Sequence, residues 1–191
     1  MNPHHKTEDD LQTELQQINA AKADAAAFGP LYDKYYKSIF VFVYRRTGSE
    51  DLAADIVSQV FLVAMVHLKK YEYRGVPFSA WLFRIAFNEV NSHFRKSSKR
   101  ERVISLEEEH LKTITEELKE TDSAEKERAV MLALGELKEE SMQLIEFRFF
   151  EKRAFSEIGN ILGITENNAK AKVYRVLEAI RQIMKTDKKL K

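Results

Sequence analysis

The sequence predicts an all-α protein of two small helical domains joined by a linker, with a helix-turn-helix in the C-terminal domain. Only six Gly and three Pro interrupt the 191 residues, apolar residues recur at helical spacing, and no stretch shows the sustained alternation of a strand. We predict helices near 24–46, 50–70, 78–97, 124–134, 138–150, 155–162 and 166–185. Ser49 can cap the second of them, ahead of the acidic Glu50 and Asp51. The domains are then 24–97 and 124–187, with an N-terminal tail at 1–23 and an acidic linker at 98–123.

The composition excludes several classes of protein. Without cysteine the chain can form neither a disulfide framework nor a thiolate metal site, and its five His are scattered. The sequence contains no phosphate-binding loop or nucleophile constellation, so we expect neither an enzyme nor a bound cofactor. No apolar run approaches the length of a membrane span and residues 1–10 lack a signal-peptide core, so we expect a cytoplasmic protein without membrane insertion.

Charge is distributed unevenly along the chain. Residues 20–100 carry thirteen Lys/Arg against seven Asp/Glu, and residues 128–191 carry thirteen against nine. Residues 101–127, between these blocks, carry four against ten, and residues 1–19 carry one against four. Two basic blocks around an acidic one indicate two nucleic-acid-facing modules, although solvated helix faces of alternating sign would give the same profile.

The strongest local pattern spans residues 155–177. Gly159 permits the close approach of a neighbouring helix, Gly163 stands where the chain must turn, and Thr165 can cap the next helix. This pattern predicts a helix-turn-helix whose second helix enters the major groove of DNA. A helical hairpin with a solvated basic face is the alternative. The inward residues are Ile158, Ile161 and Leu162 in the first helix and Ala169, Val173, Val176, Leu177, Ile180 and Met184 in the second.

Polar residues cover the outward side of the second helix. Asn and Arg can form paired hydrogen bonds with base edges, whereas Lys suits phosphates. Arg148, Lys152 and Arg153, near the end of the preceding helix, could meet phosphates or complement the helix dipole. The outward residues are Asn167, Asn168, Lys170, Ala171, Lys172, Tyr174 and Arg175.

The helix predicted over 50–70 is apolar on two sides. Its broad core face comprises Ile56, Val57, Val60, Phe61, Ala64 and Leu68. The opposite side carries Leu62 and Val66 among Asp51, Asp55, Ser58 and Gln59. Such a helix is either deeply buried or docks a partner, and acidic residues beside aliphatic ones favour docking.

The helix predicted over 78–97 carries a polar row beside its core stripe. The core stripe comprises Phe78, Trp81, Leu82, Ile85 and Phe94, and the polar row comprises Arg84, Asn88, Asn91 and Arg95. Tyr71 and Tyr73, in the loop before this helix, add aromatic rings. Basic and amide side chains near exposed rings suit single-stranded bases, although each aromatic residue taken alone, Trp81 especially, fits the core better than base reading.

Together these modules resemble the sigma-70 superfamily, most closely its extracytoplasmic-function (ECF) type, over about 24–97 and 125–186. Segments Phe28–Tyr36, Glu50–Ala64 and Phe78–Lys96 resemble the second conserved region, and Leu134–Ile183 resembles the fourth. The resemblance implies an alternative sigma factor, itself not an enzyme, that binds RNA polymerase core and directs transcription from promoters with −10 and −35 elements. It implies contacts with the polymerase clamp coiled coil and flap, and it leaves an anti-sigma protein as a candidate partner.

The resemblance assigns roles to three sets of residues. The polymerase-binding set is Asp51, Asp55, Ser58, Gln59, Leu62 and Val66. The −10-binding set is Tyr71, Tyr73, Arg74, Arg84, Asn88, Asn91, Ser92, Arg95 and Lys96. The −35-binding set is the outward residues 167–175 given above, with Arg148. Departures from the usual pattern at Phe87, Ser92, Asn168, Ala171, Lys172 and Leu177 leave the promoter sequence open.

Three other functions fit parts of the pattern. An ordinary helix-turn-helix repressor or activator would dimerise on a palindromic site, but no clear dimerisation helix is present. An enzyme is the second alternative, but the sequence contains no recognisable catalytic constellation. A sigma-like decoy would bind polymerase without reading DNA.

Overall fold

The computed structural model describes residues 8–73, 75–97, 108–118 and 124–187, and over these residues the chain is helical, without strands. The all-α prediction is confirmed. The chain divides into two compact units, Met1–Ser105 and Leu106–Lys191. This division agrees with the prediction of two domains but places the boundary inside the expected linker.

Four α-helices form the described part of the first unit. Helices α2, α3 and α4 pack against one another, while α1 lies against α2 and against a short 3₁₀ turn that follows α3. Their bounds are Glu8–Ala23 for α1, Gly29–Thr47 for α2, Glu50–His67 for α3 and Phe78–Ser97 for α4, with 3₁₀ turns at Ala25–Phe28 and Leu68–Lys70. The core between them is strongly aromatic, with Phe42 and Phe83 rings 5.1 Å apart.

The turn between α2 and α3 follows from three residues. Gly48 adopts φ 64°, a left-handed conformation that favours glycine, and its N–H donates to the Tyr44 carbonyl oxygen at 2.8 Å. The Ser49 hydroxyl accepts a hydrogen bond from the Leu52 N–H at 3.4 Å. The predicted cap at Ser49 is therefore confirmed.

The expected N-terminal tail is wrong for residues 8–23, which form α1. Its Ile18 and Ala21 are buried in the first unit. Its Glu14 is also buried, accepts a hydrogen bond from the Tyr35 hydroxyl and pairs with Lys34 at 3.1 Å. A carboxylate can be enclosed in this way because its charge and its hydrogen-bonding capacity are both satisfied.

Five α-helices form the described part of the second unit. They are α5 (Glu108–Glu117), α6 (Ala124–Gly135), α7 (Glu139–Ile145), α8 (Phe155–Leu162) and α9 (Glu166–Asp187). A π-helical turn, Glu146–Phe150, extends α7. Helix α9 packs against α6, α7 and α8.

The expected linker is wrong for residues 108–118, because α5 belongs to the second unit. Ile114 and Leu118 are buried, and the His110 ring stacks on Phe150 with centroids 4.3 Å apart. Glu109 pairs with Lys152 at 3.0 Å. Residues spaced four apart thus form a narrow apolar stripe that packs against α6 and the π-helical turn.

Helix α3 and the turn after it, Glu50–Lys70, are long and apolar enough to cross a membrane by length and composition alone. By this criterion of length and composition, the expectation that no apolar segment is long enough to span a membrane is wrong. The helix packs between α2 and α4, and core helices of water-soluble domains pass the same test.

Candidate nucleic-acid and polymerase interfaces

The turn between α8 and α9 is fixed by two glycines and a threonine. Gly163 ends α8 at φ 70°, and the Ile164 N–H donates to the Gly159 carbonyl oxygen at 2.9 Å. A Cβ atom on Gly159 would lie 2.7 Å from the Ile164 carbonyl oxygen, so only glycine fits. The Thr165 hydroxyl accepts a hydrogen bond from the Asn168 N–H at 3.3 Å. The predicted helix-turn-helix is confirmed in each of these details.

The inner face of α9 fixes which residues point outward. The six residues predicted to face inward in α9 are all buried, from Ala169 to Met184. Asn167, Asn168, Lys170, Tyr174 and Arg175 are consequently exposed, while Ala171 and Lys172 are half-buried. Lys172 and Arg175 also line a cleft between α7 and α9, opposite Glu140. This outward face of α9 offers amide, guanidinium and ammonium donors on a rigid helix.

Helix α4 presents its polar row as predicted. Arg84, Asn88 and Arg95 are exposed, and Asn91 and Ser92 are half-buried. Three of the five predicted core residues, Phe78, Leu82 and Ile85, are buried, whereas Trp81 and Phe94 are half-buried. The row therefore runs along the solvent-facing side of a helix whose other side is held by the core.

The outer side of α3 is an exposed mixture of aliphatic and acidic residues. Leu62 is 55% exposed and Val66 67%, which are high values for aliphatic side chains. Asp51, Asp55, Ser58 and Gln59 on the same side are also exposed, whereas the predicted core face from Ile56 to Leu68 is buried. The sequence left open whether this helix is deeply buried on both sides or docks a partner. The exposure of its outer side rules out deep burial on both sides.

Family models match both units. The model for sigma-70 region 2 matches residues 31–100, and the model for sigma-70 region 4 matches residues 133–182. The chain belongs to the sigma-70 family. The two regions follow one another in the order expected from the sequence.

Two curated relatives of the chain are ECF RNA polymerase sigma factors. It is 28% identical to the ECF RNA polymerase sigma factor BldN of Streptomyces coelicolor over 91% of this chain and 65% of that protein. It is 26% identical to the ECF RNA polymerase sigma factor SigW of Bacillus subtilis, over 90% of this chain and 95% of that protein. The chain therefore spans just under two thirds of the first relative and nearly all of the second.

Two solved structures share the fold. CnrH, in complex with the cytosolic domain of CnrY, is 20% identical with a TM-score of 0.60, covering 90% of this chain and 96% of that one. The sigma factor RpoE, in complex with the anti-sigma factor NepR from Bartonella quintana, is 18% identical with a TM-score of 0.57, covering 84% and 98%.

Two basic residues considered for phosphate contact in region 4 are engaged within the unit. Arg153 is 1% exposed and pairs with buried Glu157, so phosphate contact, one of the two roles that the sequence left open for it, is wrong. Arg148 is half-buried, donates to the Arg153 carbonyl oxygen at 2.9 Å and lies 4.6 Å from the centre of the Phe155 ring. Because Phe155 in turn lies 6.2 Å from Tyr174, Arg148 supports the outward face of α9 from behind.

The loop before α4 in region 2 presents one of its two tyrosines. Tyr71 is buried against Phe78 and Trp81, so the expectation that its ring is offered to bases is wrong. Burial, with smaller contributions from Glu14 and Tyr73, raises the pKa of Tyr71 to about 12. Tyr73 is 45% exposed. Arg74 and the side chain of Lys96 lie outside the described residues.

One residue near this loop has no counterpart in the sequence-based predictions. Lys22 of α1 donates a hydrogen bond to the Tyr71 carbonyl oxygen at 2.6 Å. Its partner lies 49 residues away, and no spacing rule within a helix connects the two. Only the packing of α1 on the first unit reveals this contact.

Proposed function

We propose that this protein is an ECF-type alternative sigma factor that binds RNA polymerase core and directs promoter-specific transcription initiation at −10 and −35 elements. The observation that carries the proposal is the presence of sigma-70 regions 2 and 4, in that order, each with exposed polar residues on a rigid helix. RNA synthesis is the work of the polymerase, and the sigma factor acts beside it in the cytoplasm.

The exposed side of α3 is the proposed polymerase-binding surface. It consists of Asp51, Asp55, Ser58, Gln59, Leu62 and Val66. Burying Leu62 and Val66 against a partner helix removes apolar area from water, which stabilises the complex by about 25 cal/mol for each Å² buried. The two carboxylates favour a basic partner surface and set the orientation of docking.

Helix α4 and the loop before it are the proposed −10-binding surface. Tyr73 supplies an exposed ring, and Asn88 and Arg95 supply exposed donors. Rings that stack on separated bases contribute about 1–3 kcal/mol per base, and amide groups bond base edges that a duplex would hide. Arg84, Asn91, Ser92, Lys96 and Arg74 complete the proposed surface.

The outward face of α9 is the proposed −35-binding surface. Arg175 and Asn167 can pair with base edges in a major groove, and Lys170 and Lys172 suit the flanking phosphates. Attachment of both units to one polymerase raises the effective concentration of each for its own promoter element. Each unit can therefore bind DNA weakly when isolated, and the two together still recognise a promoter once both are attached to the polymerase.

An anti-sigma protein is a further proposed partner. One similar solved structure, described above, holds a sigma factor together with an anti-sigma factor. We extend that class of partner to this chain on the strength of the shared fold.

In vitro transcription tests the proposed function. Purified protein is mixed with core polymerase and a genomic library, and the start sites are mapped. We expect a set of new start sites that share two upstream sequence elements, together with co-purification of the core enzyme. A stable dimer that binds a palindrome and leaves polymerase start sites unchanged would instead identify an ordinary helix-turn-helix regulator.

A further inference from the structure

The loop after α3 is tied to α1 by a lysine. The Lys22 ammonium donates a hydrogen bond to the Tyr71 carbonyl oxygen at 2.6 Å and lies 5.8 Å from the centre of the Tyr71 ring. Both contacts are partly or fully enclosed by the first unit. Hydrogen bonds with a charged donor are stronger than those between neutral groups, and they are strengthened further where water is excluded.

This contact completes a circuit of contacts around the start of the loop. The Tyr71 ring packs edge-on against Phe78, with centroids 5.1 Å apart. Phe78 lies 5.9 Å from the ring of Tyr35, whose hydroxyl donates to Glu14 of α1. Helix α1 therefore holds the loop directly through Lys22 and holds its packing partner, Phe78, through Glu14 and Tyr35.

Beyond this anchor the loop leads to an exposed tyrosine. Tyr73 follows two residues later and is 45% exposed, and Gly75 adopts φ 73°, a left-handed conformation with open space around its Cα. Because Tyr71 is fixed, the short segment between it and Phe78 at the start of α4 has both ends defined. A loop ordered in advance loses less conformational entropy when bases bind to it.

We propose that Lys22 is a positioning residue for −10 recognition: it anchors the Tyr71 carbonyl and thereby fixes the direction in which the loop presents Tyr73 to the opened strand. This inference rests on the proposed function. Lys22 itself touches no base; it acts through Tyr71.

The single tryptophan of the chain provides a test that needs no polymerase. The Trp81 ring lies 5.1 Å from the Tyr71 ring and is half-buried, so its fluorescence reports whether the loop stays in place. Lys22→Met removes the ammonium but keeps a side chain of similar length. We expect acrylamide to quench Trp81 about twofold more strongly in this variant, because the loop opens locally.

Transcription supplies the functional readout. On a duplex promoter found with the wild type, we expect Lys22→Met to lower the rate of open-complex formation about tenfold, the scale of one charge-assisted hydrogen bond. On the same promoter with its −10 region already unpaired, we expect a smaller loss. Lys22→Arg keeps a charged donor and should restore both fluorescence and rate.

A matched control and two outcomes decide the inference. Lys37→Met changes an exposed lysine of α2 and should leave fluorescence and rate at the wild-type level. Helical content by circular dichroism checks that each variant is folded; if Lys22→Met is not, Lys22→Gln, with a shorter neutral donor, should give an intermediate effect.

Unchanged quenching and unchanged rate in Lys22→Met would overturn the inference while leaving the function intact. A wild type that directs no transcription would overturn the function, and the fluorescence arm would still decide whether Lys22 holds the loop.

Discussion

The guanidinium of Arg153 pairs with the carboxylate of Glu157 at 3.3 Å, and both side chains are almost completely enclosed at the start of α8. Glu157 also accepts a hydrogen bond from the Ala154 N–H at 3.0 Å. The pair thereby fixes the chain as it enters the helix-turn-helix.

Neutralising Glu157 should destabilise the second unit. Glu157→Gln removes the negative charge that Glu157 sets beside the enclosed Arg153 guanidinium, and breaking a buried ion pair costs about 3–5 kcal/mol. Urea unfolding followed by circular dichroism should show the transition of the second unit at lower urea. Glu178→Gln is the control, because the Glu178 pair with Arg181 is exposed, and its transition should stay near that of the wild type. Equal shifts in the two variants would contradict the role given to burial.

Adding one methyl group at Gly159 should disrupt the turn between α8 and α9. The new Cβ would meet the Ile164 carbonyl oxygen at 2.7 Å and the Glu166 nitrogen at 3.2 Å, and neither backbone atom can move without shifting α9. We expect Gly159→Ala to lower the free energy of unfolding by about 1–3 kcal/mol and to weaken binding at the −35 element. Gly135→Ala, where a Cβ meets nothing within 4 Å, should be tolerated in the same unfolding assay.

Truncation of Arg175 should weaken promoter recognition in a sequence-dependent way. If Arg175 pairs with a base edge, Arg175→Ala costs about 1–3 kcal/mol and relaxes preference at one promoter position. Lys170→Ala should weaken binding at all sequences and reduce its dependence on salt. Both effects are measured by transcription from promoter variants over a range of salt concentrations. Lys185→Ala, near the far end of α9, is the control, and a loss in this variant equal to that of Arg175→Ala would argue against base reading.

A charge on the exposed side of α3 should block polymerase binding without unfolding the protein. Leu62 is 55% exposed, so Leu62→Asp removes little from the core but introduces a carboxylate into the proposed contact. We expect at least about a tenfold loss of core polymerase affinity in a pull-down or fluorescence titration. Ala20→Asp adds the same charge to an exposed position of α1 and should bind normally. Normal binding by Leu62→Asp would move the polymerase contact elsewhere.

The buried phenol of Tyr71 should make the first unit sensitive to high pH. Its pKa is about 12 in the folded chain against an ordinary value of 10.0, so folding favours the neutral form. This contribution is complete below pH 10 and falls by about 1.4 kcal/mol per pH unit as the pH rises from 10 towards 12. Urea unfolding at several pH values should show a steeper decline for the wild type than for Tyr71→Phe. Parallel curves would mean that the phenol ionises as freely in the folded chain as in the unfolded one.

Local rules predicted the features that depend on neighbours in the sequence. The caps at Ser49 and Thr165 and the turn at Gly163 each use atoms within a few residues of one another. The two sides of α3 followed from helical spacing. For the same reason the outward residues of α9 could be named in advance.

Local rules failed where a distant partner decided the outcome. Residues 1–23 were expected to form a tail, but Glu14 of α1 is buried because the Tyr35 hydroxyl and Lys34 bind its carboxylate. Arg153 looked like a phosphate contact until the fold brought it against Glu157 in an apolar setting. Tyr71 looked like a reader of bases, but Phe78 and Trp81 pack against its ring and it is buried. In each case the polar or aromatic residue type was ambiguous, and tertiary packing settled its role.

The π-helical turn at Glu146–Phe150 buries Phe147, Phe149 and Phe150 within four positions. Deleting one residue there could restore a regular helix, but every later residue would then rotate by about 100° about the helix axis. The length of this short segment therefore determines the rotational position of the residues that follow it. Substitutions within it can be absorbed, whereas a change in its length cannot.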